Sequence, residues 1–151
     1  MYKKILFSTC LTEYCDHIFQ FALNLAVEND AKLWVYYGLG RLSGDKDLTE
    51  QAIKEGESRV AQAYVGQMRD KSFANYAINV TDGDLVGEIS KLARNAAVDL
   101  MVLGASTDFP QARGESPNAD IFGSIAASSI LRAPCPVMVI PPSLIPGLAR
   151  G

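Results

Sequence analysis

Asp99-Leu100-Met101-Val102-Leu103-Gly104, followed after a long polar stretch by Gly123-Ser124-Ile125-Ala126 and then Ala133-Pro134, is the part of this chain that decides its fold. The first run is apolar at consecutive positions, as in a strand covered on both faces. The second opens a short helix that Pro134 stops. A strand that delivers a loop to a helix start builds a corner where backbone N–H groups and the positive helix end can receive an anion such as phosphate.

Upstream, the same alternation recurs. Ile5-Leu6-Phe7 predicts a first strand within 3–9, and Thr12 then caps a helix whose apolar face is Ile18, Phe21, Ala22, Leu25 and Ala26. Leu33 to Tyr37 predicts a second strand. Asp47-Leu48-Thr49-Glu50 resembles a capping box opening a helix to about Asp70, although Gly56 and Gly66 each weaken it by ~1 kcal/mol. Tyr76 to Val80 is a third strand, Leu85, Ile89, Leu92, Ala93 and Ala96 a further helical face, and Pro136-Val137-Met138-Val139-Ile140 the last strand.

Strands alternating with helices imply a doubly wound, five-stranded parallel sheet with right-handed crossovers and helices on both faces. The expected architecture is therefore α/β, a single Rossmann-like domain over 1–141 with strand order 3-2-1-4-5 and a short tail at 142–151. Ligands bind such sheets beyond the C-terminal strand ends at the switch point. Here that point lies between the loop holding Ser8-Thr9-Cys10 and the Gly104 region.

Composition narrows the function. With 151 residues and 48% apolar content the chain suits one domain with a substantial core. A net charge of −3 supplies no basic field for nucleic acid or anionic lipid. The three cysteines Cys10, Cys15 and Cys135 fit neither a disulfide framework nor a strong metal pattern, so reduced thiols are expected, with Cys135 buried. No apolar run approaches the ~20 residues of a membrane span, and the start has no signal-peptide pattern; the expectation is a cytoplasmic protein without membrane partners. His17, beside the apolar stripe of the first helix, fits packing better than catalysis. No Ser or Cys nucleophile has a base at a recognisable spacing, so the chain does not read as an enzyme.

Tyr2-Lys3-Lys4-Ile5-Leu6, the Asp99–Gly104 strand, Gly123-Ser124-Ile125-Ala126 and Ala133-Pro134-Cys135-Pro136-Val137-Met138-Val139-Ile140 together resemble the universal stress protein family. The resemblance spans nearly the whole chain, and the closing block is its most specific part. It implies a stress-response regulatory protein that binds an adenine nucleotide, ATP or AMP, with Mg²⁺ accompanying ATP. Nucleotide-binding members carry Gly, two residues, Gly, about nine residues, then Gly with Ser or Thr. Gly104 matches the first glycine and Gly123-Ser124 the last pair, while Thr107 replaces the second glycine and the intervening loop is longer.

By the same resemblance Ser106 lies in the first loop segment, Ile125-Ala126 follow the phosphate-binding pair, and Gly38 stands where the family has a Val near the adenine. The family's acidic residue near the ribose falls at Ser8-Thr9-Cys10, where Cys10 offers no carboxylate to ribose hydroxyls. The resemblance also implies a homodimer through the last strand, Val137, Met138, Val139 and Ile140. The alternative is a dimeric interaction or scaffold protein of the same fold that does not bind nucleotide.

Overall fold

The computed structural model describes residues 1–40, 44–105 and 124–144, with residues 124–126 described as backbone alone. Strands and helices alternate as β1 (Lys4–Thr9), α1 (Glu13–Asn29), β2 (Lys32–Gly38), α2 (Lys46–Asp70), β3 (Tyr76–Thr81), α3 (Leu85–Asn95), β4 (Leu100–Gly104), α4 (Ser124–Arg132) and β5 (Val137–Ile140). One 3₁₀ turn, Pro142–Leu144, follows. The five strands form one parallel sheet in the order β3-β2-β1-β4-β5, as expected from the sequence.

The register places Ile5 between Leu33 and Leu100, and Phe7 between Val35 and Val102. Side chains alternate between faces along a strand, so these six residues share one side. There they meet Ile18 and Phe19 of α1 and Val60, Tyr64 and Met68 of α2. Leu6, Tyr36, Met101 and Leu103 point the other way, against Ile89 and Ala93 of α3. The partition follows from chain direction: β1 to β3 step outward one way, the chain then crosses back to β4, and right-handed crossovers put the later helices on the opposite face.

The core beneath α1 and α2 is aromatic. Phe19 and Tyr64 stack with ring centroids 4.3 Å apart, and Phe7 lies 5.7 Å and 5.8 Å from them. Full burial of such a side chain contributes about 1.5–3 kcal/mol, so this trio is a principal anchor of both helices. Gly56 lets α2 approach closely, since a Cβ there would meet Val80 Cγ1 at 2.9 Å.

Three details differ from the sequence reading. The buried face of α1 is Tyr14, Cys15, Ile18, Phe19, Ala22, Leu23 and Ala26, whereas Phe21 is 39% exposed. The face is rotated because α1 packs against α2 as well as the sheet, drawing Phe19 rather than Phe21 inward. The cap of α2 is Asp45, whose carboxylate accepts from the Asp47 and Leu48 N–H groups. Asp47 already sits in the first turn, where its charge favours the helix dipole instead. Cys135 is half-buried rather than buried, because it packs on the rim of the α3 core and not within it.

Thr12 does cap α1, accepting from the Cys15 N–H at 3.2 Å. Among the described residues no helix is long and apolar enough to cross a membrane.

Candidate functional site

β1 and β4 are neighbours whose following helices lie on opposite faces, so a crevice opens beyond their C-terminal ends. Because β5 runs parallel to β4, α4 must travel back across the sheet from that same end. Its first turn, Ser124 onward, therefore starts at the C-terminal end of the sheet.

The turn from β1 into α1 is short and internally bonded. Thr9 is 4% exposed and lies on the α2 side of the sheet. Its Oγ1 is 2.6 Å from the Tyr64 hydroxyl, and that hydroxyl donates to Asp16 Oδ1 at 2.8 Å. Tyr64 has one proton, so Thr9 is the donor in the first of these bonds. Thr9 Oγ1 also accepts from the Leu11 N–H at 2.9 Å. Burial pushes the Tyr64 phenol well above its ordinary range.

Leu11 takes a positive φ of 60°, an uncommon conformation for a non-glycine residue. The turn that results sets Cys10 over the start of α1. Cys10 Sγ lies 3.1 Å from Cys15 Sγ, and the Cys10 N–H donates to Cys15 Sγ at 3.4 Å. Cys10 Sγ is also 3.6 Å from Thr12 Oγ1. Both thiols are free. The Cys10 thiol, donating to Cys15, holds the Cys15 thiol below its usual range, against the opposing effect of burial. Cys10 is correspondingly raised by Cys15 and by burial.

The end of β4 is held by the residue next to Cys15. A Cβ on Gly104 would meet the Tyr14 ring at 2.9 Å and Ile18 Cδ1 at 3.0 Å, so only glycine lets the ring lie flat against the strand. The Tyr14 hydroxyl accepts from the Ala105 N–H at 2.9 Å and donates to the Ile140 carbonyl, linking β4 to β5. Burial raises the Tyr14 phenol too.

Gly38 ends β2, one strand further out. Leu85 Cδ2 lies 2.0 Å from where its Cβ would be, with the Tyr36 hydroxyl at 2.9 Å. Leu85 thus covers the position at which the family resemblance sets a pocket-lining valine. Tyr36 is tied in turn to Thr81 Oγ1 at 2.8 Å.

The structure accordingly gathers Thr9, Cys10 and Gly104 about the first turn of α1, with half-buried Ser8 one residue back on β1. Ser124, Ile125 and Ala126 open α4, while Ser106, Thr107, Gly123 and the stretch 108–120 lie outside the described residues. His17 is half-exposed beside Glu13 at 3.9 Å. Among the described residues no group of three His, Cys, Asp or Glu is placed to hold a metal ion. Sequence reasoning missed Tyr14, Cys15, Tyr64 and Leu85. Only Cys15 carries a local signal, a thiol three residues past a helix cap, where N-terminal N–H groups favour thiolate.

Related proteins share this architecture. A universal stress protein of Methanocaldococcus jannaschii is 27% identical over 148 residues, spanning 93% of this chain and 82% of its own. A universal stress protein solved in complex with cAMP superposes with a TM-score of 0.70 at 18% identity, over 92% of this chain and 97% of that one. A family protein of Arabidopsis thaliana with AMP bound gives 0.61 at 14% identity, over 91% and 90%. At such identities the structural likeness concerns the fold. Residues 1–141 match the sequence profile of the Universal stress protein family, and the chain belongs to that family.

Proposed function

We propose that this is a regulatory binding protein whose crevice between β1 and β4 takes an adenine nucleotide, held chiefly through its phosphates. The observation that carries this reading is the start of α4 at the C-terminal end of the sheet, a helix N-terminus of the kind that stabilises an anion. Relatives of the same fold solved with cAMP and AMP support the ligand class. ATP would bring Mg²⁺ on its phosphates, with the nucleotide oxygens supplying most of its ligands. The role inferred here is binding and signalling.

Calorimetric titration with ATP, AMP and cAMP tests it. Binding is expected, weakened about tenfold by Gly123→Val, at the position of the phosphate-binding glycine in the family pattern. Because Cys10 cannot replace a carboxylate, 2′-deoxy-ATP should bind as well as ATP. Absence of binding at millimolar ligand would overturn the reading.

A second reading rests on β5. It is an edge strand whose Val137, Met138 and Val139 are half-exposed, and Leu131 on the adjoining helix is 86% exposed. Such edges invite pairing. We infer a homodimer in which two β5 strands meet about a two-fold axis, Pro136 and Pro141 limiting the pairing to these residues. If nucleotide fails to bind while the dimer persists, a scaffold or interaction role is the better description. Sedimentation showing a monomer at micromolar concentration would remove the dimer.

A further inference from the structure

The geometry points to Cys10 and Cys15 as a dithiol site that hydrogen peroxide oxidises to an intramolecular disulfide. Three observations converge on it. The two sulfurs already lie 3.1 Å apart, inside ordinary sulfur–sulfur contact and one small movement from bonding. The turn that brings them together is held in an unfavourable left-handed conformation at Leu11, fixed by the bond from the Leu11 N–H to Thr9. The pair is also asymmetric: Cys15 is enclosed at 4% exposure, in the first turn of α1, with the Cys10 N–H directed at its sulfur, whereas Cys10 is half-buried and within reach of a small oxidant.

The chemistry balances with peroxide as sole oxidant. When solvent takes the proton of the Cys10 thiol, the Cys10 thiolate attacks peroxide, the O–O bond breaks, and Cys10 becomes a sulfenic acid with release of hydroxide. Hydroxide takes the Cys15 proton and leaves as water. The Cys15 thiolate then attacks the Cys10 sulfur, forming the S–S bond and expelling a second hydroxide, which solvent protonates. Two sulfurs lose two electrons and the two peroxide oxygens gain them. A dithiol reductant reverses the reaction by exchange. The third thiol, Cys135, takes no part. A disulfide here would tighten the β1 side of the crevice and so change nucleotide affinity; that consequence rests on the function proposed above, and the thiol chemistry does not.

Trypsin provides a direct readout on the unaltered protein, because Ile5–Lys32 holds both cysteines with no Lys or Arg between them, and Cys135 falls in another peptide. After brief exposure to peroxide and alkylation of the remaining thiols, Ile5–Lys32 is expected to be lighter by two hydrogens and unalkylated, with Cys135 alkylated. Dithiothreitol should restore both thiols. The native protein should oxidise faster than the urea-unfolded chain, Cys135→Ser should behave as the parent, and Cys10→Ser should not form the bond. A peptide that stays reduced, one that gains oxygen without losing hydrogen, a cross-link between chains, or equal rates in native and unfolded protein would overturn the assignment.

Discussion

The two strand ends that flank the crevice are held by adjacent residues of one helix turn, Cys15 and Tyr14, and by opposite means. At β4 the contact is an aromatic ring seated on a glycine, with its hydroxyl bridging the Ala105 N–H and the Ile140 carbonyl. At β1 it is a sulfur pair above a strained turn, backed by the Thr9–Tyr64–Asp16 chain of hydrogen bonds. The first is a shape constraint that tolerates no added atom. The second is polar and chemically labile, so it can change state without repacking the core. Both contacts are placed on the first turn of α1.

The contrast breaks most readily at Gly104. Gly104→Val would drive a branched side chain into the Tyr14 ring and Ile18, where both neighbours are buried and cannot give way. A loss of about 3 kcal/mol is expected in urea unfolding, at the upper end for overpacking. Gly38→Ala, although the contact is nominally shorter, should cost less, since it displaces the end of the Leu85 side chain rather than a ring.

Tyr14→Phe keeps the ring and removes only the bridge. It leaves the buried Ala105 N–H without its acceptor, an expected cost of about 2 kcal/mol. Hydrogen exchange separates this from general weakening: Ala105 and the β4–β5 ladder should lose protection before β1 and β2 do. Uniform loss across the sheet would mean that the hydroxyl is not a local clasp.

The comparison also explains what the sequence could and could not reveal. Consecutive apolar runs at Ile5–Phe7 and Leu100–Leu103 sufficed for a parallel, doubly covered sheet, because each run needs partners on both faces wherever it lies. The Thr12 cap was legible because capping acts over three residues. Tyr64 was not, since its meeting with Thr9 joins residues 55 apart in the chain and only the folded sheet brings them together. Phe21 misled because periodicity gives the existence of an apolar face but not its rotation between two packing partners. The C-x₄-C spacing of Cys10 and Cys15 read as a weak metal pattern; its meaning depends on the left-handed turn at Leu11, which no side-chain type announced.

The smallest expected effect sharpens the β1 side. Tyr64→Phe keeps the stacked ring and removes the hydroxyl that accepts from Thr9 and donates to Asp16. About 1 kcal/mol should be lost at neutral pH, less than for Tyr14, because Thr9 keeps its bond from the Leu11 N–H and Asp16 reaches solvent. Its pH dependence has a definite sign. Burial raises the Tyr64 phenol above its unfolded value, so the native state retains a proton that the unfolded chain gives up. The stabilisation is complete below the unfolded tyrosine value of about 10 and declines as pH rises through it. Phenylalanine has no such proton to lose. The stability gap between parent and Tyr64→Phe should therefore narrow above about pH 10 and then reverse, while Tyr14 and Tyr36, raised by burial in both proteins, lower the two curves together. Urea unfolding across that range measures the gap directly, and a gap that stays constant would mean that the Tyr64 hydroxyl is no more enclosed than an ordinary surface phenol.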